Sequence, residues 1–261
     1  MRVLLCLAAA SAIIAGSATT VRRIAAPEAR QGVAAGPRDL YAIANYRIAR
    51  YDKSSGEKRA SWEGDKARFP HLNSCAVIGR DLVCALSNFP AVPQWSSVEF
   101  FDPVTLAHRR TVSLGQGIGS LTWVDRHAGA WWAMFAHYDG KGAEPGHDHR
   151  HTLLVRFDDD WRRTQSWTLP PSILERIAPM SISGGGWGPD GRLYLTGHDR
   201  PELYAVQLPA GGAVLDHVDT IGIEAAGQAI DWDESAPGTL YGIDRGGSSI
   251  LEMKVATGIA R

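Results

Sequence analysis

Ser181–Leu208 reads SISGGGWGPDGRLYLTGHDRPELYAVQL. A glycine-rich strand ends at Trp187, and Gly188-Pro189-Asp190-Gly191 supplies a tight turn. A second strand follows over Arg192–Thr196, then a polar corner, Gly197-His198-Asp199-Arg200, then a third strand over Glu202–Leu208. Pro, Asp and Gly suit the special dihedrals of such turns. Short strands punctuated at regular spacing indicate an all-β sandwich, barrel or propeller.

The unit recurs along the chain, which favours a propeller. Its second strand is marked by Tyr41, Val83, Trp132, Tyr194 and Tyr241, a blade period of about 40–50 residues with one longer step. Third strands follow at 47–52, 97–102, 152–158, 202–208 and 250–255. More polar fourth strands, suited to an outer edge in water, fall at 58–63, 107–114, 162–169 and 214–221. The fifth unit runs out at Arg261 before a fourth strand, and Val21–Ala26 (VRRIAA) precedes the first unit with no other partner. Pairing the two closes the ring and removes open sheet edges. The expected fold is an all-β, five-bladed β-propeller of four-stranded blades, one domain over residues 19–261.

Arg2, the uncharged apolar run Val3–Gly16, and small residues before a cut after Ala18 read as a signal peptide over residues 1–18. The expectation is a periplasmic or secreted protein with no membrane anchor after cleavage. Cys75 and Cys84 then remain, equidistant from a Gly79-Arg80 turn. That makes them a cross-strand, non-hydrogen-bonded pair with close Cα atoms. They form either a disulfide, as an oxidising compartment permits, or two small buried thiols. A formal net charge of −1 and a pI of about 6.8 argue against a nucleic-acid partner, which needs a basic face. A small-molecule ligand and a monomeric state are expected.

In a propeller the starts of inner strands and the ends of second strands share one face, where function usually sits. The second strands end at Asn45, Asn88, His137, His198 and Asp244, to within one residue. Arg68, His71, Asn73, Ser183 and Gln228 lead into inner strands. His71, His137 and His198 come from three blades and are the candidate acid–base groups. Asn73, Asn88, Arg200, Gln228, Asp244 and Arg245 are candidate substrate-binding residues. Guanidinium forks favour carboxylate or phosphate, so the ligand is expected to be anionic.

The loop Asp139–His151 (DGKGAEPGHDHRH) hangs over the same face. His147, Asp148, His149 and His151 could bind a divalent cation, but their spacing matches no strong metal motif. The loop reads as a polar lid, and no metal ligands are assigned. Trp123, Trp187 and Trp232 sit late in inner strands and read as packing between blades rather than a sugar platform. Gly184-Gly185-Gly186 lacks the following helix and lysine of a phosphate loop, so close approach at the axis explains it better. No G-x-S-x-G elbow, haem attachment or cysteine-rich metal spacing is present.

The stretches FPHLNS, SNFP, SSVEFFDP, GSLTWVD, FAHYDG, HDHRHTLLVRFDD, GGGWGPDG, TGHDRPELY and GQAIDWD span most of residues 69–255. They resemble a group of exported bacterial propellers labelled cycloisomerases, after propeller enzymes that open or close lactone rings on muconate-type acids. The resemblance implies acid–base chemistry on a small anionic or lactone substrate. It assigns no catalytic residue. The same rim would equally serve a non-catalytic propeller that binds a glycan, peptide or metabolite.

Overall fold

The computed structural model describes residues 16–257. Five four-stranded antiparallel sheets form five blades. The chain opens with β1 (Ser17–Ala25), the outer strand of the last blade, and then enters the ring through β2 (Gly32–Ala35). Blade one is β2, β3 (Asp39–Ala44), β4 (Arg47–Asp52) and β5 (Lys58–Glu63). Blade two is β6 (His71–Ile78), β7 (Asp81–Ser87), β8 (Trp95–Phe101) and β9 (His108–Gln116). Blade three is β10 (Ser120–His127), β11 (Ala130–Ala136), β12 (Leu153–Phe157) and β13 (Arg163–Thr168). Blade four is β14 (Gly184–Trp187), β15 (Leu193–Thr196), β16 (Glu202–Gln207) and β17 (Asp216–Gly222). Blade five is β18 (Asp231–Trp232), β19 (Thr239–Asp244), β20 (Ser249–Ala256) and β1.

The blade number, strand order and closing strand agree with the sequence reading. The closing strand starts earlier than expected: β1 begins at Ser17 and pairs Ser17 with Ala256 and Ala18 with Val255. It therefore overlaps the last two residues of the expected signal segment, while residues 1–15 of that segment lie outside the described residues. The insertion before blade four forms α1 (Pro171–Ile177), opened by Pro170 and anchored by buried Ile173 and Ile177.

Five apolar clusters fill the five gaps between blades. One example joins Ile24, Tyr241, Ile243 and Ile250 of blade five to Val33, Leu40 and Tyr51 of blade one. The ring is thus closed by packing as well as by the β1–β20 ladder. Trp123 packs between blades three and four, and Trp232 packs edge-on to Tyr194 between blades four and five at 5.1 Å. The tryptophans do serve as blade packing. At the axis a Cβ on Gly184 would lie 2.4 Å from the Ala229 backbone, and one on Gly32 would lie 2.5 Å from the Ala229 methyl. Only glycine lets these strands pass this close to the segment that leads into β18.

Cys75 and Cys84 are direct cross-strand partners and are disulfide-bonded. The bridge ties β6 to β7 beside a bulge between Leu72 and Cys75.

Candidate functional site

All five inner strands begin at one mouth of the central channel and end at the other. At the first mouth a cavity of about 350 Å³ opens among Gln31, Asn45, His71, Asn73, Phe89, Tyr138, Lys141, Ser183, His198, Gln228 and Arg245. Each blade contributes. Gln31 leads into β2 and donates from Nε2 to Asn45 Oδ1 at 2.7 Å. Asn73 is buried and bridges blades two and three, donating to Leu121 O at 2.7 Å and Ser87 Oγ at 3.2 Å.

His71 opens β6, and its ring packs against Phe89 at 5.3 Å. Burial, reinforced by the Arg245 charge, pushes its pKa down to about 4. It is therefore neutral at physiological pH and can accept a proton or a hydrogen bond. His198 directs Nδ1 to Asp199 Oδ1 at 2.5 Å, which orients the ring and leaves Nε2 for a ligand. Gln228 is 2% exposed and holds a positive φ of 69°, a conformation that costs on the order of 1–3 kcal/mol for a non-glycine residue. Thr196 Oγ1 donates to its carbonyl at 2.6 Å, fixing the backbone. Its side-chain Nε2 is buried without a partner, an arrangement that is costly unless a ligand supplies an acceptor. Arg245 and Lys141 bring positive charge, and no acidic side chain lines the cavity among the described residues.

Of the residues singled out from sequence, His71, Asn73, His198, Gln228 and Arg245 meet at this cavity. His137, Asn88, Arg200 and Asp244 do not line it. In three blades the neighbouring residue takes the place: Phe89 instead of Asn88, Tyr138 instead of His137, Arg245 instead of Asp244. Successive extended residues face opposite ways, so a one-residue difference moves a side chain out of the site. Asn88 instead shapes its own turn, donating to Pro93 O at 3.0 Å and accepting from Trp95 N at 2.9 Å. Asp244 accepts from Gly247 N at 2.8 Å and pairs with Arg23 at 3.3 Å. Arg200 is half-exposed and faces Glu202 at 4.0 Å. His137 is buried and turns toward Glu144 and His147 of the His-rich loop. Gln31 was missed, although it leads into an inner strand as Gln228 does. Lys141 was not legible, because nothing local says where a thirteen-residue loop places one side chain.

The other mouth differs. A cavity of about 240 Å³ there is lined by Asp125, His127, Trp187, Asp231, Trp232 and Glu234, among others. His127 stacks on Trp187 at 4.1 Å. Burial pushes the Asp125 carboxyl up to about 7, with the Glu234 charge adding to it. Burial also raises Asp231 well above the usual carboxylate range, although Ala35 N–H donates to it at 2.7 Å.

Fold and cavity together define a five-bladed β-propeller with a cation-bearing, acid-free pocket at one channel mouth. No known family profile matches the sequence, and no curated protein matches it. Solved structures do match in fold. The PQQ-bound form of aldose sugar dehydrogenase from Streptomyces coelicolor is similar at a TM-score of 0.54 and 13% identity, over 92% of this chain and 98% of that one. Luciferin-regenerating enzyme is similar at a TM-score of 0.52 and 10% identity, over 90% of this chain and 94% of that one. Both are enzymes built on propellers. At these identities the likeness is one of architecture.

Proposed function

We propose that this propeller is an exported enzyme that opens or closes a small lactone or isomerises a related carboxylate, using the histidine mouth. One observation carries the reading: Arg245, Lys141, His71, His198 and an unpartnered Gln228 amide share a cavity with no acidic side chain among the described residues. Such a site attracts a small anion and repels a cation. Arg245 and Lys141 hold the carboxylate, and Gln228 Nε2 donates to a substrate oxygen. His198, oriented by Asp199, removes a carbon-bound proton next to the ring C–O bond. That electron pair forms the new C=C bond, the C–O bond breaks, and the ring oxygen leaves as carboxylate. His71, neutral, accepts a hydrogen bond from the substrate or relays the proton. The lactone class rests on the sequence resemblance to cycloisomerase-labelled propellers. Export is supported by the apolar run at 3–16 and by the Cys75–Cys84 bridge, which suits an oxidising compartment.

The test is an assay of muconolactone-type substrates with His71→Ala and His198→Ala. General acid–base roles predict a loss of about 10²–10⁴-fold in kcat for His198→Ala. Saturable binding of the carboxylate by the wild-type protein without any turnover would instead make the propeller a binding protein. N-terminal sequencing of the exported chain would check the cut after Ala18.

A further inference from the structure

We propose that His137, Glu144 and His147 form a transition-metal site of the zinc class that fastens the loop 139–151 to blade three. His137 follows β11 directly and is 3% exposed. Its Nε2 faces Ile118 O at 3.2 Å. A carbonyl can only accept, so Nε2 carries the proton and Nδ1 is left with a bare lone pair. That Nδ1 is buried without a hydrogen-bond partner. Glu144 Oε2 lies 3.8 Å from it, too far for a hydrogen bond and itself an acceptor. Two acceptors facing each other away from water are unfavourable unless a cation lies between them.

The rest of the site is in place around that gap. The His147 ring stacks on His137 with centroids 4.8 Å apart, and the ligand atoms of His137, Glu144 and His147 all lie within 4.8 Å of one another. A tetrahedral ion with ligands at about 2.1 Å sets them about 3.4 Å apart, so a small inward movement completes the site. The exposed His147, carried on the loop, is free to make it. Glu144 is held from behind: its Oε1 accepts from Gln94 N at 2.8 Å, and Gln94 Nε2 donates to Gly142 O at 2.6 Å. Both His137 and Glu144 are thus oriented by backbone groups, as metal ligands usually are. Two imidazoles and one carboxylate suit zinc and its neighbours better than magnesium or calcium. The adjacent trio Asp139, Asp148 and His149 is different. There His149 Nδ1 already meets Asp139 Oδ1 at 2.6 Å and Asp148 already accepts from Arg150 N at 2.9 Å, so its groups are satisfied without an ion.

The test is calorimetric titration of the chelator-treated full chain with ZnCl2. One saturable Zn²⁺ per chain is expected. Removing a mere supporting contact costs about 10–100-fold in metal affinity, so Glu144→Gln and His147→Ala should weaken binding by at least about tenfold. Glu144→Gln keeps the contact with Gln94, and His147 is exposed, so neither should disturb folding. His149→Ala and His198→Ala should bind Zn²⁺ as the wild type does. No saturable binding by the wild type, unchanged affinity in Glu144→Gln and His147→Ala, or loss in His149→Ala would each overturn the site. His198→Ala separates this inference from the catalytic reading, since it removes a group of the pocket but none of the metal ligands.

Discussion

The two mouths of the channel are built from the opposite ends of the same five strands, yet their chemistry is opposite. The mouth where inner strands begin carries Arg245, Lys141 and neutral His71, with no acid among the described residues. The mouth where they end carries Asp125, Asp231 and Glu234. The cations nearby are already paired: Lys53 with Asp233 of the lining at 2.8 Å, and Arg126 with Asp159 at 2.7 Å. Because every inner strand runs the same way, a residue's place along its strand decides which mouth it joins. The channel is therefore electrically polar along its axis, and an anion finds one favourable entrance.

The sharpest way to break this comparison is charge removal. Arg245→Ala should weaken binding of a small carboxylate about 10–100-fold, in line with the loss of a hydrogen bond to a charged group, whereas Asp231→Asn should leave that binding unchanged. Equal losses in the two titrations would erase the distinction between the mouths. Next in size is the bridge on β6, the strand that carries His71 at one mouth and Val77 at the other. Replacing Cys75 and Cys84 by Ala should cost about 2–3 kcal/mol in urea unfolding, as expected for releasing a short closed loop.

The smallest effect is also the most diagnostic, because the mouths should respond to pH in opposite directions. Asp125 has a folded pKa of about 7 against an ordinary 3.8. Its folded state binds more protons between those values, so its contribution falls as pH rises from about 4 to about 7. Asp125→Asn should therefore raise stability at pH 8 and change little at pH 4. His71 has a folded pKa of about 4 against an ordinary 6.5. Its unfolded state binds more protons in that window, so stability is lost as pH falls from 6.5 toward 4. His71→Asn should flatten that acid limb in thermal melts recorded across pH, and a steeper limb would contradict the burial assigned to the ring.

Much of the architecture was legible from local signals. The Asp-Pro and Asp-Gly turns, the recurring aromatic second strands and the VRRIAA segment led to five blades and a closing strand. The spacing about Gly79-Arg80 led to the pairing of Cys75 with Cys84. Much of the candidate site was legible for the same reason: His71, Asn73, Ser183 and Gln228 lead into inner strands, and Asn45, His198 and Arg245 follow the ends of second strands. The remainder depended on what happens just past the strand ends, where no ladder dictates orientation.

The sequence by itself therefore determined the repeat, the strand order and the mouth to which each strand end belongs, because turn chemistry and period-two alternation act between near neighbours. The tertiary structure alone decided that Phe89 and Tyr138 face the cavity while Asn88, Asp244 and His137 do not, and that His137 meets Glu144 and His147. It also decided that Asp125 and Asp231, from different blades, line the same mouth. Those outcomes arise from loop paths and from desolvation by distant blades, and neither is encoded in any short stretch of chain.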